Sequence, residues 1–312
     1  DGSIYISGYT NGDLDGQINS GYNDAFISKY FSDGTKDWTR LFGTPSNDFA
    51  NAITTGSDGS IYISGYTNGD LDGQISSGYN DAFIIKFSTR GEKQWTKLLG
   101  SSFDDSGNAI TTDNDGSIYI AGYTNGDLDG QINSGSRDAF ISKFNSDGTK
   151  NWTRLLGSSY RDEINALTIG SDGSIYIAGL TNDDLDGQIN NGNNDVLISK
   201  FYPDGTKEWT KLLGSSLDDS GNALTTGNDG SIYFAGHTAG DLDGQINNGW
   251  KDAFISKLIF LYPPTDISLS ATNFNENLGS EKVVTILSTT DQDTIDSHTY
   301  ELISGEGDTD NE

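Results

Sequence analysis

One five-residue phrase, Asp-Gly-Ser-Ile-Tyr, recurs through this 312-residue chain at a constant spacing of 57 residues. Its five copies begin at Asp1, Asp58, Asp115, Asp172 and Asp229. A fixed period is the sequence signature of a repeat architecture, in which each unit buries its apolar surface against the next. The period predicts a repeat domain over residues 1–260, with units at 1–57, 58–114, 115–171, 172–228 and, in part, 229–257.

Each unit divides into four short strands separated by turn residues. In the first unit the strands, named A, B, C and D, are expected at residues 49–55, 3–9, 25–31 and 36–42, respectively. Asp33-Gly34 joins C to D and Asp58-Gly59 joins A to B, and Asp-Gly is a strong hairpin signal. A four-stranded unit at fixed period indicates an all-β β-propeller of four-stranded blades, whereas a β-helix has shorter rungs. About five blades are present.

The charge and composition limit the possible functions. The chain has 18 basic and 46 acidic residues, a net charge of −28, which disfavours nucleic acid as a partner. No apolar run is long enough for membrane insertion. There is no Cys, which excludes thiolate catalysis, and His237 and His298 are the only histidines. A His-based catalytic triad or zinc site is therefore disfavoured. We therefore expect a protein that is not an enzyme.

The repeated pattern GSIYISGYTN, DAFISKYFSDGTKDWTRLFG and ANAITTGSDG resembles the bacterial SBBP β-propeller repeat, in five copies over residues 1–257. The resemblance implies a propeller in a secreted or surface-exposed bacterial protein of undetermined activity, and it supplies no catalytic residues. The chain begins at strand B, in the middle of the pattern and without Met. We expect it to be a fragment with two incomplete blades, in which one missing D–A segment would complete five blades and a larger missing segment would give six or seven.

The period ends before residues 261–265, where Pro263-Pro264 predicts a stiff linker. Residues 266–312 resemble the first half of a bacterial cadherin-like repeat, a β-sandwich, through Asn275-Glu276-Asn277 and Asp291-Gln292-Asp293. We expect strands there at residues 266–269, 282–287 and 298–303. In cadherins such acidic residues bind calcium between domains, which implies that role for Glu276, Asp291 and Asp293.

The loop between strands B and C is about 15 residues long and carries the main candidate site. In Asn11-Gly12-Asp13-Leu14-Asp15-Gly16-Gln17-Ile18-Asn19, oxygen side chains at positions 1, 3, 5 and 9 surround a glycine at position 6. This resembles the calcium loops of integrin-type propellers and the first nine positions of an EF-hand, so calcium is the predicted cofactor. The alternative is that Asn, Asp and Gly simply form turns. The candidate ligands are Asn11, Asp13, Asp15, Asn19, Asn68, Asp70, Asp72, Ser76, Asn125, Asp127, Asp129, Asn133, Asn182, Asp184, Asp186, Asn190, Asp241, Asp243 and Asn247.

Three other residue sets were weighed as sites. The pairs Asp104-Asp105 and Asp218-Asp219 could be acid/base carboxylates, but they are predicted to lie in solvated D–A loops. A tryptophan recurs once per period in strand D and is expected to pack between blades. One B–C loop position carries an aromatic residue in three of the five copies, which gives partial support for sugar stacking. These aromatic residues are Tyr22, Tyr79 and Trp250.

The sequence thus predicts a secreted or cell-surface module for adhesion or scaffolding, not an enzyme, associated with calcium. The alternative function is a glycan-binding propeller with one shallow site per blade. The partner is expected to be a surface protein or a polysaccharide, and the location extracellular.

Overall fold

The computed structural model describes residues 2–258 and, of the remainder, the backbone of two short strands at 266–269 and 287–290. The chain separates into two compact units, residues 1–258 and 259–312. In the second unit, Asp266–Leu269 and Leu287–Thr290 pair antiparallel, with Asp266 opposite Thr290. The predicted strand at 266–269 is confirmed. The Pro263-Pro264 linker lies outside the described residues, and the cadherin-like interpretation of 266–312 stays a prediction.

The first unit contains eighteen strands, seven or eight residues each. They are β1 Ile4–Thr10, β2 Asp24–Tyr30, β3 Lys36–Phe42, β4 Asp48–Thr55, β5 Ile61–Thr67, β6 Asp81–Phe87, β7 Lys93–Leu99, β8 Asp105–Thr112, β9 Ile118–Thr124, β10 Asp138–Phe144, β11 Lys150–Leu156, β12 Asp162–Ile169, β13 Ile175–Thr181, β14 Asp195–Phe201, β15 Lys207–Leu213, β16 Asp219–Thr226, β17 Ile232–Thr238 and β18 Asp252–Leu258.

These strands form five antiparallel sheets, one per predicted blade. The second, third and fourth blades have the four-stranded order A-B-C-D: β4–β7, β8–β11 and β12–β15. The first blade, β1–β3, has no strand A, and the fifth, β16–β18, has no strand D among the described residues. The all-β, four-stranded repeat is confirmed, and it is consistent with a propeller. Over residues 2–258 the blades form an open array and no closed ring is seen.

The core lies between successive blades. Strands A of neighbouring blades contact each other, and Asn108 on β8 donates from Nδ2 to the carbonyl of Ile164 on β12 at 3.1 Å. Trp95 of strand D packs against the C–D turn of the next blade, where its Nε1 donates to Ser146 O at 3.3 Å. A Cβ at Gly148 in that turn would lie 3.2 Å from the Trp95 ring. The predicted packing of strand-D tryptophans between blades is confirmed for Trp38, Trp95 and Trp152.

Strand direction places two sets of connections at the same end of the blades. Strands C and A run parallel to each other, so the B–C loop before C and the D–A connection before A meet. Asn23 and Asn47 form a parallel bridge there, and Tyr22 N donates to Ser46 O at 3.1 Å. We call this end, formed by the B–C loops and D–A connections, the loop face. Within the described part of the chain, no helix has the length and apolarity needed to cross a bilayer.

Candidate functional site

The centre of each B–C loop is a two-residue turn. Leu14 and Gln17 exchange two backbone hydrogen bonds of 3.0 Å, while Asp15 and Gly16 have φ of 53° and 76°. Positive φ at both central residues defines a type I′ turn, for which Asp-Gly is a preferred sequence. The same pair of positive φ values occurs in all five repeats. The Asp-Gly of the predicted calcium loop is therefore a tight hairpin turn.

The aspartate of this turn fastens the loop to strand D. The Asp15 carboxylate accepts hydrogen bonds from the Lys36 ammonium and, at 2.5 Å, from the Thr39 hydroxyl. These two donors hold the pKa of Asp15 below its ordinary value. The equivalent contacts recur in the next three repeats, as Asp72 with Lys93 and Thr96, Asp129 with Lys150 and Thr153, and Asp186 with Lys207 and Thr210.

Two other predicted ligands bind to each other inside the loop. Asp13 Oδ1 accepts from the backbone N–H of Asn19 at 3.0 Å, and Asn19 Nδ2 donates to Thr10 O at 2.9 Å. The aspartate-to-backbone bond recurs in every repeat, at Asp70–Ser76, Asp127–Asn133, Asp184–Asn190 and Asp241–Asn247. These side chains therefore close the loop by local hydrogen bonds, as the turn alternative expects.

The contacts of the first predicted ligand position are not the same in all copies. Asn11 is exposed, Asn68 and Asn182 donate to backbone carbonyls in their own loops, and Asn125 Oδ1 accepts from Arg137 Nε at 3.0 Å. In residues 2–258 no three Asp, Glu or His side chains are grouped so that they could hold a metal ion. Calcium binding in the B–C loops stays a prediction. Glu276, Asp291 and Asp293 lie outside the described residues.

The prediction that the Asp104-Asp105 and Asp218-Asp219 pairs are solvated is wrong for their second members. Asp105 and Asp219 are fully buried as the first residues of strands A. Asp105 Oδ2 accepts from the backbone N–H of Ser101 at 2.6 Å and from its hydroxyl at 2.9 Å. The carboxylate thereby closes the D–A connection that precedes it. Asp48 and Asp162 do the same.

A second buried aspartate faces each of these across the blade junction. Asp81 begins strand C of the second blade and is fully buried, and the Oδ1 atoms of Asp81 and Asp105 have no hydrogen-bond partner. The Thr124 hydroxyl acts to lower the pKa of Asp105, but its hydrogen bond is donated to Gly126 O at 2.8 Å. Burial, with a smaller contribution from Asp81, raises the pKa of Asp105 to about 6. The four such junctions pair Asp24 with Asp48, Asp81 with Asp105, Asp138 with Asp162 and Asp195 with Asp219.

The loop face also exposes apolar side chains at a repeated position. The residue after Gln17 is an isoleucine in all five copies, and its exposed fraction is between 72% and 80%. These residues are Ile18, Ile75, Ile132, Ile189 and Ile246. The aromatic loop position is exposed as well, at Tyr22, Tyr79 and Trp250, and the D–A connections add Phe103, Tyr160 and Leu217. The sequence pattern assigns Ile18 only to the predicted calcium loop and does not single out these exposed side chains.

Comparison with known proteins agrees with the repeat. The SBBP family, described as a beta-propeller repeat, matches residues 37–72, 94–129 and 151–186. Each matched segment runs from strand D through A and B to the Asp of the loop turn. Three of the chain's repeats are therefore similar to the beta-propeller repeat family.

Two relatives share part of this sequence. Regulatory protein FlaEY of Caulobacter vibrioides is 28% identical over 187 residues, covering 53% of this chain and 20% of that protein. Uncharacterized WD repeat-containing protein L264 of Acanthamoeba polyphaga mimivirus is 26% identical over 167 residues, covering 45% and 12%. The chain thus spans a fifth or less of the length of these relatives. Among solved structures, a thermostable family-43 glycoside hydrolase is 13% identical, with 83% of this chain and 87% of that chain covered and a TM-score of 0.43.

Proposed function

We propose that the chain is a non-enzymatic adhesion or scaffolding module that binds a protein partner through its loop face. The observation that carries this proposal is the exposed isoleucine at the same loop position in all five repeats. Exposed apolar side chains that recur on one face mark interaction surfaces, because leaving them in water is unfavourable. One contact per blade also lets several weak contacts act together.

The loops are held in shape before a partner arrives. In the first repeat the Asp15 carboxylate joins the loop to Lys36 and Thr39 of strand D, and Asp13 closes it internally. A loop that is already ordered loses less conformational freedom on binding, so more of the contact energy appears as affinity. The hydrogen bonds within these loops therefore support the proposed binding surface.

The identity of the residues that repeat in the loops favours a protein partner over a glycan. Sugar rings stack on aromatic side chains, yet the aromatic position is Tyr or Trp in three loops and Ser136 or Asn193 in the other two. Isoleucine is invariant across the five loops, and a branched aliphatic side chain fits an apolar protein surface. Glycan binding remains the second candidate because Tyr22, Tyr79 and Trp250 are 76%, 69% and 87% exposed. A regulatory role exerted by binding, as the name of FlaEY suggests for that protein, is compatible with either partner.

Secretion or surface display and association with calcium complete the proposal. Calcium at Asp15 has to compete with the Lys36 ammonium for the same carboxylate, so weak binding in the millimolar range is expected. The test is thermal unfolding of the chain in EDTA and in about 5 mM calcium. A higher melting temperature in calcium supports the association, and superimposable melts exclude it.

The binding proposal is tested with beads that carry the chain and with bacterial cells as the target. One variant replaces the five loop isoleucines by Ser, and a matched control replaces Phe31 by Ser, because Phe31 is 46% exposed in a C–D turn at the opposite end. Attachment should be lost only in the isoleucine variant. It should also be lost when the cells are treated with proteinase K and survive periodate oxidation. The reverse sensitivity supports the glycan alternative, and equal attachment by both variants contradicts a role for the loop face.

A further inference from the structure

The fifth blade ends in a strand whose outer edge has no partner among the described residues. Strand β18 pairs with β17 on one side only, whereas β2, β6, β10 and β14 each pair with a strand D on the other side. A cavity of about 280 Å³ lies along this edge and is lined by Leu213, Leu242, Gln245, Phe254 and Ser256, among others. Phe254 is partly exposed there, as is its counterpart Phe26 in the first blade, while Phe83 and Phe140 are fully buried.

The loop beside this edge already has the shape that receives a strand D in the other blades. Asp243 and Gly244 have φ of 49° and 75°, and Leu242 and Gln245 exchange the same two backbone bonds as in the first four repeats. In those repeats the aspartate binds a lysine and a threonine of strand D. The loop conformation therefore does not depend on strand D being present, and in the fifth repeat an acidic side chain faces the open edge.

Strand β18 carries a second group that matches a strand D. The serine at the third-last position of strand C binds the threonine of strand D in three repeats, with Oγ–Oγ1 distances of 2.6 to 2.8 Å: Ser28–Thr39, Ser142–Thr153 and Ser199–Thr210. Ser256 occupies this position in β18. A threonine placed opposite Ser256 is thus within reach of both Ser256 and the loop aspartate, as it is in the occupied blades.

We propose that the β18 edge is a strand-binding site for an extended segment of a partner polypeptide with the pattern Lys-X-X-Thr-X-Leu-Leu. The segment adds antiparallel to β18 in the register of β14 and β15, which sets Thr opposite Ser256 and Lys opposite Leu258. Backbone hydrogen bonds to the edge give affinity, as in other cases of β-strand addition. The Asp243 carboxylate selects the Lys and Thr, and the paired leucines fill the cavity beside Phe254.

The experiment measures the fluorescence anisotropy of a labelled peptide with the sequence of residues 206–214, titrated with the full chain. Saturable binding of one peptide per chain is expected. Asp243→Asn should weaken it roughly tenfold, since it removes a charge-assisted bond. The matched control Asp186→Asn lies in a blade whose strand D is in place and should not change peptide affinity. Circular dichroism of each variant verifies that it is folded.

Peptide variants test the same contacts without altering the protein. Replacing Lys207 by Met and Thr210 by Val in the peptide should weaken binding by a similar factor, and a scrambled peptide should not bind. The proposal is overturned if the peptide does not bind at about 1 mM, or if binding is equal for the native and altered peptides. It is also overturned if light scattering shows that chains pair with one another through β18, because a second copy is then the occupant.

Discussion

Replacing Asp105 by Asn is expected to stabilise the chain at pH 7.5 and to leave its stability almost unchanged near pH 4. Asp105 is fully buried and has no hydrogen-bond partner at Oδ1. An asparagine can keep the carbonyl oxygen on Ser101, where Oδ2 now accepts two hydrogen bonds, and place its amide towards Asp81. The substitution therefore removes a buried charge and keeps the contact that closes the D–A connection.

The magnitude follows from the pKa of Asp105, which the fold raises from 3.8 to about 6. Because the folded-state pKa lies above the unfolded one, the group's contribution to stability is complete below pH 3.8 and is lost as the pH rises through 6. Each pKa unit corresponds to about 1.4 kcal/mol, so the ionised carboxylate costs about 3 kcal/mol at pH 7.5. Asparagine does not ionise and avoids this cost at every pH.

The assay is urea unfolding followed by tryptophan fluorescence, with the native chain and the variant compared at pH 4 and pH 7.5. Asp252→Asn is the control, because Asp252 begins strand C of the fifth blade, is only half-buried and faces no described strand A. Its substitution should change the free energy of unfolding by less than about 0.5 kcal/mol at both pH values. A loss of stability in Asp105→Asn at pH 7.5 would refute the reasoning. It would mean that the ionised carboxylate has a cation or donor that stabilises its charge.

Two further substitutions test how the blades are joined. Asn108→Ala removes a hydrogen bond to Ile164 O in the next blade and should lower the free energy of unfolding by about 1 kcal/mol. Asn222→Ala is the control, because no next blade is described beside it, and it should lower the free energy of unfolding by less than half as much. Equal urea midpoints for the two variants would contradict this prediction. Gly100→Ala places a Cβ 2.3 Å from Asp81 Oδ1 and should destabilise the chain by about 3 kcal/mol in the same assay. Gly12→Ala is the control, because its Cβ has no atom within 4 Å, and it should leave the stability unchanged. A tolerated Gly100→Ala would show that the buried aspartates can move apart.

The strands could be predicted from sequence because the signals for them are local and recur from repeat to repeat. Strand D of the first unit was predicted with its observed bounds, Lys36–Phe42, since the Asp33-Gly34 turn fixes its start. Strand C begins one residue earlier than predicted, at Asp24, because this aspartate pairs in the sheet while its Oδ2 accepts from Ser20 N at 2.8 Å. Aspartate is rare inside sheets, so hydrophobic periodicity places the boundary after it.

The buried aspartates could not be predicted, because their burial is produced by the neighbouring blade. Asp105 follows Asp104 directly, and in a single unit nothing distinguishes the two carboxylates. Asp104 accepts from Asn80 Nδ2 at 2.7 Å and stays half-exposed, while Asp105 turns inward to Ser101. The available signal was positional: an aspartate starts every strand C and every strand A at the full period. A polar residue repeated at the same strand boundary in every unit indicates a structural cap more strongly than a solvated loop.

The B–C loop shows that one sequence pattern can fit two structures, and that the contacts of its aspartate depend on residues far along the chain. Asn-Gly-Asp-Leu-Asp-Gly fits a calcium loop and a type I′ turn equally well by spacing. The side chains that bind Asp15 are Lys36 and Thr39, which lie 21 and 24 residues further along the chain. Only the pairing of strands C and D brings them to the loop, so no local motif contains this information. Asp15 is held by strand D, and Ile18 three residues later is exposed and belongs to the proposed binding surface, while calcium binding in this loop stays a prediction.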